Sequence, residues 1–317
     1  MDEFEIIRRY FFGQSTQRDD VRLGIGDDAA ILRVPPGQEL VVSVDSLVAG
    51  VHFPEDLQAS AIGHRALAVN LSDLAAMGAT PAWALLALSL PRVDAGWIQE
   101  FARGFFALAQ RYRVALVGGN LARGPLNITV TVHGLVPTGQ ALLRSGAQPG
   151  DQVCVTGCLG DAAVGLQRLQ AHVAMTETDR CLQRFCFPDP RIQAGLALRG
   201  IASAAIDLSD GLAADLGHLL RASGVGAQLQ VEKLPLSQSL LQHKTREQAL
   251  NMALTGGDDY ELCFTVPQER WPRLEANARE FGCSVTRIGE ITDSKDLCCL
   301  RDDNTDWPLS VAGYKHF

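Results

Sequence analysis

An α/β fold in two domains is what this sequence predicts, on three observations. Strand-like and helix-like stretches interleave through both halves of the chain. The length, 317 residues, is about twice that of an ordinary single domain. Between Leu142 and Asp151 runs a connection punctuated by glycine and proline, the natural place for a boundary. The domains expected are therefore residues 1–140 and 150–317.

Taken in order, residues 1–19 read as a short helix followed by a polar loop. Gly24 to Val34 is a turn entering a strand, and the β-branched content of Glu39 to Leu47 predicts a second strand. Ala59 to Met77 has helical spacing. So does Asp94 to Arg113, where Trp97, Phe101, Phe105, Leu108 and Tyr112 form one apolar stripe. A short strand, Val114 to Val117, is expected to end in a Gly-Gly turn. Asn127 to Val136 alternates, with Ile128, Val130, Val132 and Val136 on one face, as a half-buried strand does.

Beyond the boundary the pattern predicts a strand at Gln152 to Thr156, a helix at Gly160 to Val173 and a polar excursion at 174–190. A helix from Arg191 to Ser203 comes next, then a short strand entering a helix over Ala205 to Ala222. A strand at Ala227 to Val231, a helix near 246–254, a strand at Tyr260 to Val266, a helix at Gln268 to Phe281 and two final strands complete the reading. A Gly-Gly step followed by polar residues occurs in both halves, at 118–120 and 256–259, a faint hint of duplication.

Composition narrows the function. The N-terminal residues are acidic where a secretory leader is basic, and no apolar core follows. The longest apolar run, Ala82 to Leu90, falls far short of the roughly 20 residues that span a bilayer. A cytoplasmic protein with no membrane partner is expected. Its eight cysteines contain no C-x-x-C pair and suit structural, reduced thiols, including vicinal Cys298 and Cys299 as half-buried or buried residues of a strand. Net charge is −8 with only four lysines, so no nucleic acid partner is expected, because backbone binders cluster cations.

The chemistry sits in acids placed at turns beside glycines. In Gly24-Ile-Gly-Asp-Asp-Ala-Ala the spacing mimics a dinucleotide fingerprint, but the continuation Ile31-Leu-Arg-Val-Pro-Pro is strand-like, and that motif must open a helix. Asp27 and Asp28 are then either turn-formers or ligands. On Val41-Val-Ser-Val-Asp-Ser, Ser43 and Asp45 project from one face and Leu40, Val42 and Val44 from the other. That pair suits a hard cation, or simply the wet face of an edge strand. Asn70 and Asp73 share a helix face that is otherwise small and apolar, with Ala66 and Met77, where an acid is expensive unless paired or metal-bound. Asp207 and Ser209 alternate off a strand end, and Asp210 is expected to open the next helix, with Ser209 readable as its N-cap. No Walker A loop and no protein-kinase signature is present. Any ATP phosphates would therefore be held chiefly through divalent ions on the aspartates, which suits Mg²⁺.

In order and number these stretches resemble the thiamine-monophosphate kinases of the aminoimidazole-ribonucleotide-synthetase-like ATP-binding superfamily. The resemblance is carried by GIGDDAA at 24–30, SVDSLVAGVHF at 43–53, ALAVNLSDLAAMGATP at 66–81, and VGG with ARGPL at 117–126. It continues through RSGAQPGD at 144–151, DLSDGL at 207–212, GGDDYELCF at 256–264 and the terminal GYKHF. It implies an α/β (α+β) fold of two domains, the N-terminal sheets pairing across a homodimer and the C-terminal α/β domain closing over the active site. It implies ATP and Mg²⁺ as co-substrate and cofactor, and thiamine monophosphate as the acceptor. By the same resemblance, Asp28, Ser43, Asp45, Asp73, Asp207 and Asp210 would be Mg²⁺ ligands, with Val44 contributing its backbone. Gly119, Arg144 and Ser209 would contact the nucleotide, while His52, Asp258 and Tyr314 would line the thiamine phosphate pocket. The chemistry implied is direct in-line attack by the substrate phosphate, with no general base.

One departure stands out. The family usually carries aspartate after the Gly-Gly step, where this chain has Asn120, which by the resemblance would ligate metal and nucleotide through its carbonyl oxygen without adding charge. Two alternatives follow: a non-catalytic nucleotide-binding regulator, or another enzyme of the same superfamily. Of the latter, selenophosphate synthetase would want a reactive cysteine near the N-terminus, yet none precedes Cys154. The hydrogenase-maturation protein would end in one, yet the chain ends Lys315-His316-Phe317. The substrate residues with GYKHF favour the thiamine assignment over the purine one.

Overall fold

The computed structural model describes residues 1–174, 176 and 178–309. The chain divides into two compact units: unit 1 takes Met1–Leu74 and Ala79–Gly139, and unit 2 takes Ala75–Gly78 and the chain from Gln140 onward.

Unit 1 begins with α1 (Glu3–Ile6), capped by Asp2 and Glu5 in a reciprocal box and continued as a π-helical turn over Ile7–Phe12. Two short strands, β1 (Val21–Leu23) and β2 (Ile31–Leu32), pair antiparallel with the aspartate loop between them. Then come β3 (Gln38–Val48), α2 (Ala59–Ala76), β4 (Thr80–Leu90), α3 (Ala95–Arg111), β5 (Ala115–Arg123) and β6 (Asn127–Pro137). The sheet order is β3-β6-β4-β5, antiparallel except for the β4–β5 pair, so β3 and β5 are edges.

Alternation decides which face is core. Ile128, Val130 and Val132 of β6 are fully buried, as the sequence period required. The stripe of α3 buries Phe101 and Phe105 completely. α2 is different: nearly all its residues are buried, so its apolar pattern is continuous rather than one-sided. At the other end of the sheet Trp83 is buried, and its indole N–H reaches the Asp20 carboxylate at 3.0 Å, which Arg18 also holds at 2.6 Å.

Unit 1 holds one strand that the sequence pattern left unread and one expected turn that is not there. The run from Ala82 to Leu90 is a strand, β4; most of its side chains are buried, which removes the alternation that announces a strand. Gly118–Gly119 is not a turn. β5 passes straight through it, with a bulge that leaves Val117 without a partner on β4.

Unit 2 contains β7 (Gln152–Thr156), α4 (Asp161–Gln170), α5 (Arg180–Cys186), α6 (Ile192–Ala197), β8 (Ala204–Asp207) and α7 (Leu212–Ser223). After these come β9 (Gly226–Gln230), α8 (Gln238–His243), α9 (Arg246–Thr255), β10 (Leu262–Val266), α10 (Trp271–Ala276), β11 (Val285–Thr292) and β12 (Leu297–Leu300). The sheet runs β12-β9-β11-β7-β10-β8, with β12–β9 parallel and the other pairs antiparallel. Val153, Val155, Ile206, Leu216, Leu219, Leu229, Leu254 and Ile288 form its core.

Here too the structure amends the expectations. The stretch 174–190 contains α5, started by Asp179, whose carboxylate accepts from the Leu182 N–H at 3.2 Å. The helix expected from Gln268 to Phe281 is broken: a 3₁₀ turn, α10, and a second 3₁₀ turn follow one another. α7 starts only at Leu212 with Gly211 as its cap, so Asp210 precedes the helix and Ser209 is not the cap. The cysteines are free thiols; Cys299 is buried as expected, but Cys298 is exposed rather than half-buried, because alternation on β12 turns it to the opposite face. Among the described residues no helix is long and apolar enough to cross a membrane.

Candidate active site

In unit 1 the polar face of β3 lies against α2. The Ser43 hydroxyl donates to Asp73 Oδ2 at 2.5 Å. Two residues on, the Asp45 backbone N–H donates to Asn70 Oδ1 at 3.0 Å, and Asn70 Nδ2 donates to the Ala66 carbonyl at 3.0 Å. The i, i+3 spacing of Asn70 and Asp73 therefore docks a strand whose alternate residues are Ser43 and Asp45. Crowding of Asp45 by surrounding protein, then the like charge of Asp73, pushes its carboxyl up to about 6, although part of the residue remains open to solvent. Two carboxylates that repel, one of them bonded to a hydroxyl, form a set of hard oxygen donors that suits a cation.

The opposite face of β3 is open. Leu40, Val42 and Val44 are 45%, 53% and 56% exposed, so the apolar residues of this strand point outward. As an edge strand, β3 also leaves part of its backbone unpaired by the sheet, and the outward Asp45 N–H is the one that Asn70 takes. His52, on the loop after β3, accepts the Val48 N–H through Nδ1 at 3.0 Å, which leaves Nε2 as the donor of the neutral ring. Asp28 stands exposed on the loop between β1 and β2, its N–H held by the Asp27 carboxylate at 2.9 Å.

Gly119 and Asn120 lie exposed on the edge strand β5. Gly119 has φ +153°, and a Cβ there would sit 1.8 Å from the Leu86 carbonyl oxygen. The close pass of β5 to β4 after the bulge thus requires glycine, and it presents Asn120 at the sheet's edge.

In unit 2 the end of β8 and the turn before β10 are laced together by backbone. Leu208 N–H donates to the Glu261 carbonyl, Tyr260 N–H to the Leu208 carbonyl and Asp258 N–H to the Ser209 carbonyl, each at 2.8 Å. Asp207 is buried at the strand end, while Ser209 and Asp210 are half-exposed on the turn. The Tyr260 hydroxyl donates to Asp258 Oδ1 at 3.0 Å. Asp215, in the first turn of α7, accepts from the Asp210 and Gly211 N–H groups at 3.0 and 3.1 Å. Burial raises Asp215 to about 7 despite those bonds. Arg144 is exposed, its carbonyl accepting from Ser223 at 3.1 Å. Tyr314 lies outside the described residues.

Unit 1 thus brings together Ser43, Asp45 and Asp73, and unit 2 brings together Asp207, Ser209, Asp210 and Asp258. Among the described residues no group of three His, Cys, Asp or Glu side chains converges as a preformed metal cage. Acids presented in ones and twos suit a cation that keeps its waters and shares ligands with a phosphate.

Comparison with known proteins supplies the lineage. Residues 26–136 match the family model of AIR synthase related protein, N-terminal domain, and residues 148–298 that of the C-terminal domain. The chain is 48% identical to the thiamine-monophosphate kinase of Escherichia coli strain K12, over 99% of this chain and 98% of the relative. The crystal structure of thiamine-monophosphate kinase from Stenotrophomonas maltophilia K279a superposes with a TM-score of 0.88 at 46% identity, covering 94% of this chain and 96% of that one. The chain belongs to the thiamine-monophosphate kinase family. A further solved structure with this likeness is AaThiL complexed with AMPPCP and TMP, with a TM-score of 0.80 at 34% identity and 92% of each chain covered.

Set beside this family's signature stretches, the sequence reading missed a second group of residues. Asp215, Asp259, Glu261, Arg184 and Arg191 are tied to the turns that carry Asp210 and Asp258. Asp259 and Glu261 stand inside the quoted GGDDYELCF stretch, and burial is the signal that separates them from Asp258: they are 3% and 0% exposed. Nothing in the local sequence marks the arginines, which reach Glu261 from 77 and 70 residues away.

Proposed function

We propose that this chain transfers the γ-phosphoryl group of ATP to the phosphate of thiamine monophosphate, releasing ADP and thiamine diphosphate. The observation that carries the reading is near-full-length identity to thiamine-monophosphate kinases, joined to the likeness to a complex holding AMPPCP and TMP. The donor set supports it, because phosphoryl transfer asks a protein mainly for positioning and charge neutralisation, not for covalent chemistry.

The ligands assigned to Mg²⁺ are Asp28, Ser43, the Val44 carbonyl, Asp45, Asp73, Asn120, Asp207 and Asp210, all oxygen donors. Mg²⁺ held there would neutralise charge on the ATP phosphates and draw electron density from the leaving group. Gly119 lets the backbone come close to the nucleotide, and Asn120, Arg144 and Ser209 orient it. His52, whose bond to Val48 leaves Nε2 as the donor of its neutral ring, and Asp258 orient thiamine monophosphate, and Tyr314 is assigned to the same pocket. The acceptor phosphate oxygen is already ionised at neutral pH, so none of these residues has to remove a proton. Its bond to the γ-phosphorus forms as the bond to the ADP oxygen breaks. A homodimer joined through the β3 edge in a cytoplasmic setting completes the reading.

The test is a coupled ADP-release assay with thiamine monophosphate, ATP and Mg²⁺, with thiamine diphosphate measured in the same samples. Equal amounts of ADP and thiamine diphosphate are expected. Nucleotide binding without turnover would make the chain a regulator, and inorganic phosphate without thiamine diphosphate would make it a phosphatase.

A further inference from the structure

Asp258 lies on a turn that costs free energy to hold. Its own φ is +69° and that of Tyr260 is +48°, two left-handed residues with side chains inside three positions. Left-handed backbone is unfavourable for a residue with a Cβ, so the surroundings must impose the conformation. The imposing structure is a cluster of charge beneath the turn. Glu261 is fully buried, and Arg191 clasps it in parallel, Nε to Oε2 at 2.6 Å and Nη2 to Oε1 at 2.5 Å. Thr156 donates to Oε2 at 2.6 Å. Arg184, on α5, bridges to Glu261 Oε1 at 2.8 Å and to the backbone carbonyl of Asp259 at 2.7 Å. The Asp259 carboxylate receives the Gly160 N–H on both oxygens, at 3.0 and 2.8 Å. Even the strand end is shaped for Glu261: Gly157 has φ +61°, and a Cβ there would meet Oε1 at 2.1 Å.

Two arginines around one buried glutamate form a poor device for stability, since burial of the ions costs about as much as their attraction returns. Such a cluster is good at fixing geometry. The bond that matters is from Arg184 to the Asp259 carbonyl, because it grips the middle residue of the left-handed turn while Glu261 grips Arg184. Tyr260, locked on the far side, then sets the Asp258 carboxylate through its hydroxyl.

We propose that Arg184 is a positioning residue for the phosphate-acceptor substrate: braced by Glu261 and Arg191, it holds the Asp258–Tyr260 turn so that the Asp258 carboxylate meets that substrate. The inference rests on the reading that assigns Asp258 to thiamine monophosphate. Arg184 acts on binding of that substrate and leaves the ATP side alone.

Arg184→Met is the test, since Glu261 keeps both bonds from Arg191 and the one from Thr156. A thermal melt first confirms that the variant is folded. The expected result is a rise of about tenfold in KM for thiamine monophosphate, with KM for ATP and kcat within about twofold, as loss of one substrate-orienting contact predicts. Amide exchange at 257–260 should accelerate about tenfold in the ligand-free variant, because the turn opens locally. Arg184→Lys, which can still reach the carbonyl, should restore most of both. If the methionine variant does not fold, Arg184→Gln takes its place, with the same split between the two KM values expected. Equal rises in both KM values, or unchanged amide exchange at 257–260, overturns the proposal. Should the wild-type chain make no thiamine diphosphate, the functional reading falls, and the ligand-free exchange measurement still decides whether Arg184 holds the turn.

Discussion

Asp73 is the side chain on which the metal site proposed for unit 1 turns. It takes the Ser43 hydroxyl and lifts the neighbouring Asp45, so removing it would delete both a proposed ligand and the charge that couples the pair. Asp73→Ala is expected to lower kcat about a thousandfold or more, the scale seen when a centre of transition-state charge stabilisation is lost. The melting temperature should change little, because alanine favours the helix. Steady-state kinetics alongside a thermal melt checks both halves of that statement. Asp45 adds a pH dependence. With its carboxyl raised to about 6, the protonated form dominates below that pH and cannot bind a cation, so the Mg²⁺ concentration for half-maximal rate should climb as pH falls through 6. Asn120 carries a carbonyl oxygen where the family's usual aspartate carries a charge, and Asn120→Asp should lower the Mg²⁺ requirement at pH 7.5. An unmoved Mg²⁺ titration would remove residue 120 from the ligand set.

Elements whose pattern is local were legible, and those shaped by their neighbours were not. β6 and α3 declare themselves because one face is buried and one is not, giving periods of two and 3.6. β4 hides because little of it faces solvent, and α5 hides because its stretch looked only polar. The Gly-Gly step misled for a different reason. Glycine marks a turn in most contexts, but here it marks the close pass after a bulge. At the site, the acids on short spacings, Ser43 with Asp45 and Asn70 with Asp73, could be paired by strand and helix geometry alone. The brace of Arg184 and Arg191 could not, since it is assembled from across unit 2. The start of α7 makes its own prediction. Asp215 is raised from 3.8 to about 7, so the native state binds a proton that the unfolded chain releases. Its contribution to stability is complete below pH 3.8 and disappears as pH rises to about 7. Asp215→Asn should flatten that part of the stability profile, measured by denaturant melts of the metal-free protein from pH 4.5 to 8.

For the molecule as a whole, the exposed apolar face of β3 calls for a partner. Leu40, Val42 and Val44 project outward on an edge strand of eleven residues, a surface that soluble proteins normally protect. The expected partner is a second copy, so sedimentation should give about twice the 34.2 kDa chain mass. The double variant Leu40→Lys/Val42→Lys should run as a monomer. Family, fold and substrate class were readable because motifs from both units occur in one order along the chain, whereas the unpartnered strand face emerges only once β3 is placed at the sheet's edge. The central claim is that the Ser43, Asp45 and Asp73 cluster of unit 1 holds the nucleotide's phosphates through Mg²⁺. A crystal soaked with Mg²⁺ and a non-hydrolysable ATP analogue tests this most directly. The account predicts the analogue's phosphates held through Mg²⁺ at the carboxylates of Asp45 and Asp73. A nucleotide bound elsewhere, with those carboxylates facing only solvent, would contradict it.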